Sequence, residues 1–451
     1  MMRRKIYDEL LTWKERSQGS SAILIEGARR VGKSYIVEEF ARNEYDSYIL
    51  INFRRVSTDV KHWFDIYMED IGQLLRNIQL HYNRQLTPRR SVIIFDEVQA
   101  CPRAREAIKF LVEDGRFDYI ETGSLISIKK NTKGIVLPSE EEKLDMFPMD
   151  FEEFLWAMGN HTIMPYIREC FADRKPLVQA LHRKAMDLFR LYVVVGGMPQ
   201  AVLAYVDTND FQKVEDAKRR ILQLYRNDIH QFADNLENKV AVIFDAIPGQ
   251  LQKHEKKFSL AVLGEDARMR DYDSAFLWLA DARIINICFN TTAPNIGLKL
   301  NEDRTTLKLY MGDTGLLISH SFDEHGRVPI EIYQKLILGK LEINEGMIIE
   351  NVVSQMLRAA GHKLFFFSKY SHDNADKRME IDFLIAKSKI TSRHNISPIE
   401  VKSGKRYTLT SLRKLQEQYS MYLSDSFVMH DANVRQNEGI TYLPIYMTIC
   451  L

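Results

Sequence analysis

Eight residues near the start of the chain have the types and spacing to hold a phosphate chain. Gly27-Ala28-Arg29-Arg30-Val31-Gly32-Lys33-Ser34 fits G-x-x-x-x-G-K-[ST]. Glycines let such a loop curl its N–H groups toward an anion, and a helix that starts there turns its positive end to the same anion. Gly27, Arg30, Gly32, Lys33, Ser34 and Tyr35 are the candidate nucleotide contacts. Lys33 is placed to reach the β- and γ-phosphates of ATP and Ser34 to hold Mg²⁺. The setting suits the loop: Ala22-Ile23-Leu24-Ile25 reads as a strand before it and Tyr35 to Phe40 as a helix after it.

Two further segments can serve the same chemistry. Ser91-Val92-Ile93-Ile94-Phe95-Asp96-Glu97 is an apolar run ending in two carboxylates. A buried strand there delivers Asp96 to the Mg²⁺ shell and Glu97 to the attacking water, as catalytic base. Phe117 to Ser124 is a strand candidate ending in Thr122-Gly123-Ser124. Either hydroxyl can face the γ-phosphate; a plain strand-to-turn exit uses the same residues.

A separate constellation lies near the C-terminus. Glu380-Ile381-Asp382 and Pro398-Ile399-Glu400-Val401-Lys402 sit in strand-like runs. Alternation puts Glu400 and Lys402 on one face, and Asp382 joins them across a hairpin. Glu350 lies on a helix pattern from Met347 to Leu357, and a second helix pattern runs from Ser411 to Tyr419. Their order and content resemble the PD-(D/E)xK nucleases. Asp382, Glu400 and Glu350 then bind Mg²⁺ and Lys402 positions water, since metal-assisted phosphodiester chemistry needs hard oxygen ligands beside one cation. A hairpin with solvated charges contains the same residues. From Ala360 to Lys414 there are twelve Lys/Arg against five Asp/Glu. Lys363, Lys369, Lys377, Arg378, Lys405, Arg406, Arg413 and Lys414 are the residues suited to a polyanion such as DNA.

The elements that must position these residues follow from periodicity. Strand and helix patterns alternate over the first 150 residues, which predicts a parallel sheet covered by helices. Residues 151–236 read as helical, with a break at Gly196-Gly197. Residues 237–325 suggest a winged helix: a helix from Val240 to Leu251 broken at Pro248-Gly249, a helix over Tyr272 to Ala280, and two wing strands around a polar tip, Asn301 to Arg304. That helix is poor in Lys and Arg, so a spacer or protein-contact module fits as well as a DNA-binding one.

Bulk properties bound the possibilities. The 451 residues exceed one core, and a net charge of +1 carries no global attraction to nucleic acid or membrane. Cys101, Cys170, Cys288 and Cys450 are isolated, which suggests neither a disulfide framework nor a zinc site. Leu10, Leu11 and Trp13 sit among charges, as in an amphipathic helix rather than a signal peptide, and no eighteen-residue apolar run exists. A cytoplasmic location, away from membrane, is expected.

The chain also resembles the prokaryotic AAA-type P-loop ATPases that carry a C-terminal nuclease-like domain of unknown function. The resemblance rests on the phosphate loop, Phe95-Asp96-Glu97-Val98-Gln99 and Thr122-Gly123-Ser124. Further along it rests on Phe147 to Leu155, Val195-Gly196-Gly197-Met198-Pro199 and Met311-Gly312-Asp313-Thr314-Gly315-Leu316. It implies a multidomain α/β protein: an ATPase core over 1–150, a helical lid over 151–236, a winged-helix-like domain over 237–325 and a restriction-endonuclease-like domain over 326–451. It implies ATP hydrolysis with Mg²⁺, coupled to a DNA-directed domain that cleaves, or that only binds DNA or a protein partner. Where relatives carry a Gly-Arg pair, this chain has the acidic run Pro138 to Asp145. No arginine sensing the γ-phosphate is assignable there, and oligomeric state is not specified.

Overall fold

The computed structural model describes residues 2–125, 136–253, 255–295, 297–322, 326–340, 345–370, 378–387, 394–404 and 406–451. Lys377 and Lys405 lie outside the described residues. The chain divides into two compact units, residues 1–147 with 281–283, and residues 148–280 with 284–451.

The first unit is built on five parallel strands: β1 (Ala22–Gly27), β2 (Ser47–Asn52), β3 (Ser91–Asp96), β4 (Asp118–Gly123) and β5 (Glu141–Met146), in the order β2-β3-β4-β1-β5. β1, β3 and β4 are buried at every position, which is why their sequences run apolar without a polar face. One apolar cluster gathers Leu24, Ile51, Phe64, Phe95 and Tyr119. The alternate residues, Ile23, Ile25, Ile94 and Ile120, join another with Val37 and Phe40, and the helix Ile6–Ser17 adds Ile6, Leu10 and Trp13 to it.

The acidic run before Phe147 is the edge strand β5. Its Glu141 is buried in a bidentate pair with Arg105, both N–O distances 2.8 Å. Glu121 on β4 lies beside it, pushed well above the usual carboxylate range by burial and then by the Glu141 charge. Glu141 is thus an internal charge, whereas Glu142 and Asp145 on the same strand stay part-exposed and pair with Arg16 and Arg283.

The second unit joins a helical region to a mixed eight-stranded sheet. The helices are Phe151–Ala157, Ile163–Ala172, Gln179–Val195, Pro199–Thr208, Phe211–Phe232 and Glu237–Gln252. The expected break at Pro248-Gly249 does not occur; the helix continues to Gln252. Pro248 has no N–H for the carbonyl of Phe244, one turn back, and His320 Nε2 donates to that carbonyl instead, at 3.0 Å.

The sheet comprises β6 (Ile285–Thr291), β7 (Glu302–Met311), β8 (Phe365–Lys369), β9 (Met379–Ala386), β10 (Ile396–Val401), β11 (Ser426–His430), β12 (Arg435–Asn437) and β13 (Ile440–Pro444). Their order is β12-β13-β11-β10-β9-β8-β6-β7. The two wing strands do not stand apart as a module. β6 pairs in parallel with β8, from Phe289↔Phe365 to Thr291↔Phe367, so the hairpin extends the C-terminal sheet. An isolated two-stranded hairpin is marginal in water, and pairing also covers an open strand edge. The expected polar tip is partly strand, since Glu302 to Arg304 belong to β7.

Three runs of low chemical content meet in this unit. Met149 N donates to Gly197 O at 2.7 Å, and Gly197 N donates to Asp313 Oδ2 at 2.6 Å. Asp313 Oδ1 accepts from Leu316 N at 2.9 Å, capping the helix Thr314–Ser321. A Cβ on Gly197 would sit 2.1 Å from the carbonyl oxygen of Met149, so only glycine fits. Asp150 and Glu153 form a capping box on the helix that follows Met149. All four cysteines are free thiols, and no described helix is long and apolar enough to cross a membrane.

Candidate functional site

The parallel sheet of the first unit brings the carboxyl ends of its strands to one edge. Register aligns Asn52 on β2 with Asp96 on β3, and Asp96 with Thr122 on β4. Gly27 closes β1, and the helix Lys33–Glu44 begins directly after Gly32. Gly32 holds φ 103°, a left-handed backbone that admits the turn into the helix, and Arg30 at the exposed tip holds φ 70°. Tyr35 is half exposed on the first helical turn.

Asp96 is buried and collects these elements. Its Oδ1 accepts from Ser34 Oγ and Thr122 Oγ1, both at 2.6 Å, and its Oδ2 from Asn52 Nδ2 at 2.5 Å. Thr122 thus holds the carboxylate, where the sequence suggests a phosphate contact. Among the described residues, the Ser124 hydroxyl is buried without a hydrogen-bond partner. Lys33 is buried, and its ammonium donates to the carbonyls of Gly27 at 2.8 Å and Ala28 at 3.0 Å. Glu97, just beyond β3, sits at φ 56°. Its Oε2 pairs with Arg54 Nε at 2.7 Å and accepts from Gln99 Nε2 at 2.8 Å. A non-glycine residue in the left-handed region is strained and marks a place where surrounding structure dictates backbone.

Asn52 and Arg54 are neighbours of the candidate site that the sequence does not announce. Asn52 ends an ordinary strand and Arg54 lies in the turn just past it, and only pairing across the sheet places them beside Asp96 and Glu97.

In the second unit the expected carboxylates come together, but around lysines. Glu380 and Asp382 share one face of β9, Glu400 and Lys402 follow each other on β10 and just past its end, and Glu350 lies on the helix Glu345–Ala359. Asp382 Oδ2 accepts from Val401 N at 2.8 Å, and Lys402 Nζ bonds Glu400 Oε2 at 2.6 Å. Lys308, 1 % exposed on β7, lies 3.0 Å from Glu380, 3.4 Å from Glu350 and 3.8 Å from Asp382. Lys256 pairs with Glu350 and Lys257 with Glu380, while the Tyr310 hydroxyl also donates to Glu350.

Electrostatics follow this pairing. Burial raises Glu350, but Lys308 and Lys256 outweigh it and hold its carboxyl down at about 2. Glu380 is likewise raised by burial and brought below its usual value by Lys308 and Lys257. Glu400 is pushed up to about 8 by burial and then by Asp382, with Lys402 opposing. Burial and Glu350 raise Asp382.

A divalent cation needs several of these oxygens free, at 2.0–2.6 Å from one point. Among the described residues no group of three His, Cys, Asp or Glu side chains converges in that way. The expected Mg²⁺ ligands Glu350, Asp382 and Glu400 therefore do not fit a metal as arranged: their oxygens are paired with Lys256, Lys308 and Lys402. Lys308 itself is hard to find from sequence: a lone lysine within Thr306-Leu307-Lys308-Leu309-Tyr310 reads as solvent-facing.

On the outer part of the same sheet, an open cavity of about 820 Å³ is lined by Arg406, Arg413, Lys414, Arg435, Tyr407 and Tyr442. Lys363, Lys369 and Arg378 are exposed elsewhere on the unit.

Three stretches of the chain match known protein families. Residues 19–155 match an AAA domain, residues 186–324 match a domain of unknown function (DUF8612), and residues 345–448 match a domain of unknown function (DUF4143). No curated protein matches. Among solved structures the chain is similar to a Walker-type ATPase of Pyrococcus abyssi, at 14% identity, over 71% of this chain and 96% of that one, with TM-score 0.40. It is also similar to the Aeropyrum pernix ORC1 protein in complex with DNA, at 12% identity, over 72% and 93%, with TM-score 0.28. The chain thus carries an AAA-type P-loop ATPase domain followed by two domains of unknown function.

Proposed function

We propose that the N-terminal unit binds and hydrolyses ATP, and that nucleotide state governs a C-terminal domain that grips a polyanion such as DNA without cutting it. The observation that carries the first half is Asp96 held by Ser34 and Thr122 at 2.6 Å each, at the mouth of the phosphate loop. The Ser34 hydroxyl and Asp96 carboxylate are hard oxygen donors and fit Mg²⁺, which would neutralise charge on the β- and γ-phosphates. Lys33, released from the loop carbonyls, is the group to meet those phosphates. Glu97 orients water once its pair with Arg54 opens.

The second half is supported by the cluster of Arg406, Arg413, Lys414 and Arg435 around one open cavity with two tyrosines. Basic groups bring affinity for phosphates without sequence choice, and aromatic faces can stack bases. A cleaving nuclease needs a free metal seat, and the pairing of Lys308 with Glu350, Glu380 and Asp382 stands against it.

The test uses purified full-length protein. Lys33→Ala should lower ATP turnover by about a hundredfold or more, as loss of one charge-stabilising donor does elsewhere. Unchanged ATP binding and turnover would sink the first half. The wild-type protein should bind DNA at low salt and lose affinity as salt rises, and Arg406→Glu with Arg413→Glu should weaken binding. Absence of any DNA affinity at low salt would sink the second half and leave the first standing.

A further inference from the structure

We infer that Lys308 is the resident cation of the C-terminal carboxylate cluster: its ammonium takes the place that a divalent ion would need, and the cluster is metal-free by construction. The inference deepens the reading of this domain as non-cleaving, and it rests on side-chain geometry alone.

Lys308 is fixed from both directions. Leu307 and Leu309, its neighbours on β7, are buried, so the pleat aims Lys308 to the opposite side of the strand. There Glu350 from a helix and Glu380 and Asp382 from β9 surround its ammonium at 3.0–3.8 Å, with the Phe366 ring 5.0 Å away. Glu380 at 3.0 Å is a hydrogen-bond partner of this ammonium, and Glu350 and Asp382 stand at ion-pair distance; all three oxygens lie farther out than Mg²⁺ needs, at about 2.1 Å.

The remaining charges complete the balance. Lys256 meets Glu350, Lys257 meets Glu380 and Lys402 meets Glu400, so four lysines face four carboxylates. An added dication would face several ammonium groups at close range, each already paired with one of these carboxylates. Burial costs each ion its hydration, and only such pairing makes the arrangement tolerable. Removing Lys308 leaves the buried carboxylate of Glu350 and the part-exposed ones of Glu380 and Asp382 around one vacated point, and hard oxygen donors are what a hard cation seeks.

The experiment is Mn²⁺ titration of full-length protein, followed by the loss of the free-ion EPR signal. Asp96→Ala serves as background, so that the phosphate-loop ligands do not contribute. Lys308→Ala in that background should gain one bound Mn²⁺, and adding Asp382→Asn should remove the gain. Lys308→Arg, which keeps the charge, should gain none. A folded Lys308→Ala protein that binds no Mn²⁺ overturns the inference. So does Mn²⁺ binding by the Asp96→Ala protein with Lys308 intact that disappears on Asp382→Asn, a measurement needing no change at 308. ATP hydrolysis by the Lys308 variants, made without the Asp96 change, reports on the first unit alone, so failure here and failure of the ATPase reading remain distinct.

Discussion

Asp96 accepts from side chains that arrive on three different elements: Ser34 from the loop helix, Asn52 from β2 and Thr122 from β4. A buried carboxylate held this way is pre-oriented, which removes the cost of arranging it at the moment of reaction. Thr122→Val keeps the shape and deletes one donor. Loss of a hydrogen bond to a charged group is worth about 1.5–3 kcal/mol, so kcat/KM for Mg·ATP should fall by roughly ten- to a hundredfold. Nucleotide affinity measured in EDTA should stay as in wild type. Wild-type turnover by Thr122→Val would mean that Thr122 positions nothing. At this scale the phosphate-loop pattern stood out in the sequence, because glycine, lysine and strand-terminal carboxylates have few other reasons to occur in that order, and an AAA domain matches over it. Its helpers did not. Asn52, Arg54 and Lys308 are ordinary residues whose meaning comes from register across strands far apart in sequence.

Elements tell a complementary story. The runs around Met149, Gly197 and Asp313 carry no reactive group, yet they form one continuous hydrogen-bonded junction between helices. Asp313 is fully enclosed, and burial raises its carboxyl despite bonds from Gly197 and Leu316. Gly197→Ala would force a methyl to within 2.1 Å of a backbone oxygen, so the backbone must shift. A loss of several kcal/mol is expected, on the order of the largest single-site effects, read as a fall in the urea midpoint with little change in slope. A midpoint equal to wild type would show that the junction yields without cost. Helix and strand positions were largely legible from periodicity. The helix through Pro248 was not, because the donor that rescues it is His320, more than seventy residues away.

Over the whole molecule, the sequence suggests four domains, whereas the described residues fall into two compact units and the hairpin β6–β7 merges with the C-terminal sheet. Strand patterns announce strands, not their neighbours. Acid sensitivity belongs to this scale too. His430 is held down at about 4 by burial and then by Arg435, and its Nε2 is buried without a hydrogen-bond partner among the described residues. Its folded value lies below its unfolded one, so as pH falls from about 6.5 to 4 the unfolded chain takes up a proton that the folded one refuses. Stability contributed by neutral His430 is lost across that window, by at most about 3 kcal/mol. Glu400, pushed up to about 8, acts with the opposite sign: the folded state loses stability as pH rises from about 4.5 to 8. The comparison of His430→Leu with wild type isolates the histidine. Urea unfolding of the variant should lose less stability between pH 7 and 4.5 than wild type does. Parallel pH profiles would remove His430 from the account.

β7 is the outermost strand on its side of the described sheet, ten residues long, and Lys308 points inward from it. A long outer strand can act as a template for pairing with another copy, and a charge aimed into the fold is one of the devices that discourages this. Exchanging Lys308 for a neutral residue is therefore expected to raise self-association as well as admit metal, and sedimentation of Lys308→Ala beside the wild-type protein would show it.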